Sequence, residues 1–272
     1  MQNNRFMNTA AATSSQIDVG LRAYMLGVYN HMTTALLLTG FFAYATKMLA
    51  TTTGSDGQMY LTPLGSLLFN TPLQWVVMLA PLGMVFWLSA RIQAMSAGRA
   101  RNMFYLYGAM MGVALSSILM VYTGASVARA FFITAGAFAG LSLYGYTTKR
   151  SLSAVGSFLV IGLFGLILAS IVNIFMASTQ LEFMISVAGV LIFAGLTAWD
   201  TQRIKSMYMA GDSADVAAKK SIFGALTLYL DFINMFLFIF WGVAFGSSQI
   251  GGQFKPSAST GAFTPLEGKL RL

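Results

Sequence analysis

Two aspartates stand where the sequence has least use for a charge. Asp200 lies in LTAWDTQRIK, residues 196–205, where an apolar run gives way to basic residues. Asp231 lies in LTLYLDFINMF, residues 226–236, about ten residues into another apolar run. A charged aspartate deep in a membrane span costs about 2.5 to 3.5 kcal/mol on insertion scales, so such a group must face the protein interior. Two carboxylates held close together repel, and the pair keeps one proton between them and titrates as a unit. Such a pair responds to pH and, once deprotonated, suits a hard cation that prefers oxygen ligands. Calcium takes about six to eight oxygens, so any site here is weak and is completed by carbonyls, Asn234 or water. A plainer reading is also open: Asp200 caps the interface or pairs with Arg203 at i+3, and Asp231 hydrogen-bonds a neighbouring helix.

The elements that hold these groups follow from composition. Apolar residues make up 57% of the 272-residue chain and Asp, Glu, Lys and Arg only 9%, far below the roughly 25% of a soluble domain. Apolar runs long enough to cross a hydrocarbon core of roughly 30 Å occur at about 25–46, 72–90, 102–123, 126–147, 154–176, 181–199 and 221–245. Without period-two alternation they read as helices, giving an all-α, seven-transmembrane helix bundle. The weakest boundary lies between the third and fourth runs, where Thr123, Gly124, Ala125 and Ser126 are the only break. Residues 1–24 read as a polar, disordered-looking cytoplasmic arm, 25–245 as the membrane domain, and 246–272 as a flexible tail rich in Gly, Ser, Thr and Pro.

Eleven basic residues fall on the side of the N-terminus and of the loops after spans two, four and six, against five on the other side. The positive-inside rule then puts the N-terminus in the cytoplasm and the C-terminus outside. The net charge of +8 is mostly this orientation signal, and no motif supports nucleic-acid binding. With no cysteine there is no disulfide framework, and the single histidine, His31, cannot supply a histidine-based zinc site. GAMMG at 108–112, GAFAG at 136–140 and GVAFG at 242–246 have the spacing that lets helices approach closely. Asn173, Asn234 and Gln74 could line a polar path or bond between helices.

The depth of the two aspartates decides whether they meet. Their midpoint falls near residue 215, inside the polar loop, so they meet if both helices extend well into it. If the turn is tight at Gly211 and Asp212, Asp231 lies roughly 12 Å deeper than Asp200 at 1.5 Å per residue, and the pairing fails.

The sequence resembles a bacterial member of the Bax inhibitor 1 family, also called the transmembrane Bax inhibitor motif family. The resemblance rests on LTLYLDFINMF, on WDTQRIK, on IVNIF at 171–175 and on the opening LRAYMLGVYNHM, and covers roughly residues 22–245. It implies seven helices with the last one central and surrounded by the other six. It also implies a pH-sensitive calcium leak in which Asp200 and Asp231 form the sensor and Arg91, in SARIQAM, acts as a latch; Arg91 has a competing role as a positive-inside anchor. The second span lacks the acidic residue that some relatives carry. The expectation is therefore a pH-gated cation leak, not an enzyme, with no cofactor, with the lipid bilayer and calcium ion as its partners. The alternative is an interaction protein that modulates a membrane-bound protease or stress response through its N-terminal arm. An intramembrane aspartyl hydrolase fits poorly, because no GxGD-type element flanks either aspartate.

Overall fold

The computed structural model describes residues 2–55 and 57–250, with side chains for 19–55 and 57–243. Its elements are α1 (Gln2–Ala50), β1 (Thr51–Thr53), β2 (Met59–Leu61), α2 (Pro63–Phe69), α3 (Leu73–Arg91), α4 (Ala97–Val121), α5 (Gly124–Thr147), α6 (Ser153–Met176), α7 (Thr179–Ser206) and α8 (Ala214–Ile250). Among the described residues, α1 and α3 to α8 are long and apolar enough to cross a membrane. They match the seven expected runs, and the chain is an all-α membrane bundle.

The doubtful third boundary is a real break: α4 ends at Val121, and Thr123 caps α5 by accepting from the Ser126 N–H. The polar arm differs from expectation. It contains no proline, and Gln2 onward runs helically into the first span, extending a helix that is already nucleated. Of the expected tail, 246–250 continue α8 and 251–272 lie outside the described residues. One small unit was not foreseen. β1 and β2 form an antiparallel hairpin, and Thr62 then caps α2 with Pro63 in its first turn.

The last helix forms the core. The most apolar window of α8 is 67% buried, against 6 to 33% in the other six spans. It packs on α1, α4, α5 and α7, while α3 leans mainly on α4 and α6 on α7. This refines the expectation that all six other spans surround it: α3 and α6 stand at the periphery.

Small residues set the closest approaches. A Cβ added at Gly108 would lie 2.9 Å from the Ala35 carbonyl oxygen, so GAMMG seats α4 on α1. GAFAG behaves otherwise. Nothing lies within 4 Å of a Cβ at Gly136 or Gly140, because that face of α5 looks outward. The glycine that α5 uses is Gly145, pressed on the Ala198 backbone of α7. A Cβ added at Gly242, the first glycine of GVAFG, would lie 3.4 Å from the Ser186 Cβ, an ordinary contact.

One polar joint locks α8. Thr39 Oγ1 lies 2.9 Å from the carbonyl oxygens of both Ala35 and Gly108 and 2.7 Å from Tyr229 Oη. A hydroxyl has one proton, so Thr39 donates to a carbonyl and accepts from the fully buried Tyr229. Tyr229→Phe is expected to lower stability by about 1 kcal/mol, read as a lower melting temperature by circular dichroism in detergent. Adding Thr39→Val to that variant should cost less than it does alone, since the shared bond is already gone.

Candidate functional site

Asp200 and Asp231 meet. Both are buried, at 6% and 5% exposure, and their carboxyl groups approach closely enough to interact. A carboxyl donates only when protonated, so a hydrogen bond between them would hold one shared proton. The depth condition is met in an asymmetric way. α7 continues six residues past Asp200, and α8 begins seventeen residues before Asp231. The seven residues between the helices can span about 23 Å when extended, enough to absorb an offset of eleven residues, about 16 Å.

The neighbouring polar groups fix the rotation of each helix. Thr201 Oγ1 lies 3.0 Å from Ser142 Oγ, which lies 2.6 Å from Tyr29 Oη, tying α7 to α5 and α1 one residue from Asp200. The Tyr229 joint does the same for α8 two residues before Asp231. Gly156 presses α6 onto the Trp199 ring. None of Thr201, Ser142 or Tyr29 was singled out from the sequence, since a hydroxyl in an apolar helix carries no spacing signal of its own.

The pair opens onto a cavity of about 730 Å³ between α3, α6, α7 and α8, whose polar lining includes Ser89, Ser170, Arg203 and Asn234. Arg203 is the charged group beside it. Its Nη1 stands 4.0 Å from Asp200 Oδ1, its guanidinium lies over the Trp199 ring at 5.5 Å, and its side chain is 55% exposed. Asp231 Oδ2 has no hydrogen-bond partner although it is buried. That is an acceptor in want of a donor or a cation.

The other expected residues are placed apart. Asn234 lines the cavity, but its Nδ2 donates to the Leu230 carbonyl at 2.8 Å. Asn173 lies at the far end of α6, where its Oδ1 accepts from the Ser178 N–H at 3.1 Å. Gln74 sits in the first turn of α3. Arg91 ends α3, exposed, and among the described residues forms no ion pair with either aspartate. His31 is bonded to Tyr105 Oη at 2.8 Å. Among the described residues no histidine or further carboxylate joins the pair, so a cation here would depend on neutral oxygens.

Comparison with known proteins decides the family. The family profile described as "Inhibitor of apoptosis-promoting Bax1" matches residues 21–246, which contain all seven spans and both aspartates. The chain belongs to the Bax inhibitor 1 family. It is 46% identical to the inner membrane protein YbhL of Escherichia coli over 82% of this chain and 92% of that protein. It is 43% identical to a Rickettsia prowazekii protein over 85% and 93%, and 40% identical to one from Borreliella burgdorferi over 79% and 89%. As a Bax inhibitor 1 family member it has the central last helix expected from the resemblance, and both quoted aspartate motifs lie on the two helices that form the pair.

Proposed function

We propose that this protein is a proton-gated cation leak of a cell inner membrane, with calcium as cargo, and that the proton shared by Asp200 and Asp231 holds it closed. The observation that carries the reading is the close approach of two buried carboxyl groups from different helices at the wall of a cavity. With the proton in place, the bond ties α7 to α8 and the pair carries at most one negative charge, beside the Arg203 guanidinium. Losing the proton replaces that bond by repulsion between two buried carboxylates, a state costing several kcal/mol unless a cation or water enters. The same event loosens the helix contact and creates the attraction for cargo.

Calcium would be held by the two carboxylates and the Asn234 amide oxygen, with water completing its shell. Arg203 supplies the counter-charge at the mouth, in the role the resemblance gave to Arg91. The reading assigns no catalysis and no resident cofactor. The printed name of the Escherichia coli relative supports the inner membrane. The excess of basic residues on one side supports a cytoplasmic N-terminus, which puts Arg203 near the cytoplasmic face.

The test is calcium uptake into dye-loaded proteoliposomes across a pH series. Uptake above that of protein-free vesicles should rise from acidic to alkaline pH, because deprotonation opens the path. Uptake equal to protein-free vesicles at every pH overturns the reading.

A further inference from the structure

The cavity beside the aspartates does not end at them. A second cavity of about 400 Å³ lies at the other end of α7, lined by Asn173, Glu182 and Ser186, and it shares Ser170, Ile174 and Phe238 with the first. The residues between follow the helical repeat. On α7, Asp200, Leu196, Phe193, Gly189, Ser186 and Glu182 step back by four or three and form one stripe. On α8, Asp231, Asn234, Phe238 and Trp241 step forward by three or four on the facing side. From Asp200 to Glu182 is eighteen residues, about 27 Å of helix, close to the thickness of a hydrocarbon core.

Phe238 stands where the two cavities meet. Its ring covers Gly189, so that a Cβ there would lie 2.5 Å from it, and it stacks on Phe193 at 5.8 Å between centroids. Any other residue at 189 would push the ring aside. No other contact in the stripe pairs a large apolar ring with a bare backbone, and a hydrophobic constriction between two cavities closes a path by excluding water. Glu182, in the first turn of α7 and half-buried, is the carboxylate of the second cavity.

Resting on the leak reading, we infer that the cation path runs along the α7–α8 stripe from the aspartates to Glu182, that Phe238 on Gly189 is its hydrophobic plug, and that Glu182 gathers cations at its far mouth. The plug and the proton switch are then separate barriers in series. Removing the ring opens one without altering the other.

The natural absence of cysteine allows a direct test. Asn234→Cys is placed in proteoliposomes, alone and with Phe238→Ala, and a water-soluble, membrane-impermeant maleimide is added on the side of the α6–α7 turn. Labelling should be several-fold faster with the ring removed. Equal rates in the two backgrounds overturn the plug whether or not the protein leaks. In parallel, Glu182→Gln should raise the half-saturating calcium for uptake by roughly two- to fivefold, the effect of one partly exposed charge. The pH midpoint should stay where it is. Unchanged half-saturation overturns the role of Glu182, whereas absence of uptake in the unsubstituted protein counts against the leak itself, not against the labelling result.

Discussion

On the proposed reading, Asp231→Asn is expected to abolish the pH response of calcium uptake and to lower uptake at alkaline pH by about tenfold, the effect of losing roughly 1.4 kcal/mol of attraction for the cation. The side chain keeps its shape, so the bundle should fold. What changes is the chemistry: an amide can bond to Asp200 at any pH, and the pair can no longer carry two charges. The helix contact is then held permanently and the variant stays closed. Asp200→Asn should act the same way, and the double variant should be no worse than either single one, because both remove one shared proton. The measurement is the wild-type pH series repeated with the three variants. A full pH response in Asp231→Asn would show that the hydrogen-bonded pair is structural and that gating lies elsewhere.

Much of this site could be read before the structure because charge is scarce in the spans. A carboxylate inside an apolar run has few tolerable surroundings, and two on consecutive helices imply each other. The seven spans were readable for the same reason, each being longer than a lipid crossing requires. Arg203 was visible only as a local i+3 partner, which it is, and its further position at the cavity mouth depends on how α7 is rotated. That rotation is set by Thr201, Ser142 and Tyr29, three hydroxyl groups 59 and 113 residues apart along the chain. No local pattern reports such a contact. The glycines show the same limit. GAMMG and GAFAG have one spacing, yet one touches a neighbouring backbone and the other faces outward, because spacing fixes which residues share a face and not which face is packed. The hairpin before α2 has local signals, a threonine run and the Gly54–Gly57 turn, but its strands are three residues each, too short for an alternating pattern to show.

The glycines supply the largest stability difference expected in the molecule. Gly145→Val should lower the melting temperature in detergent by roughly 6 to 12 °C, a loss of about 3 kcal/mol for overpacking against a rigid neighbour. Gly140→Val should change it by no more than about a degree or two, as surface substitutions do. The two sites lie on one helix and receive the same side chain, so helix propensity cancels in the comparison. They differ in what a new Cβ meets: at 140 nothing within 4 Å, at 145 the backbone of Ala198 with its carbonyl carbon 2.9 Å away. A backbone cannot turn aside as a side chain can, so α5 and α7 must separate. Ala198 lies two residues before Asp200, and the displacement reaches the aspartate pair through the same helix. Gly145→Val protein that remains folded at low temperature should therefore also leak with a weaker pH response than Gly140→Val. Circular dichroism melts beside calcium uptake on the same preparations read both effects. Equal melting of the two variants would mean that α5 does not rest on α7 through Gly145, and the hydroxyl chain from Tyr29 to Thr201 would lose the close helix contact on which it depends.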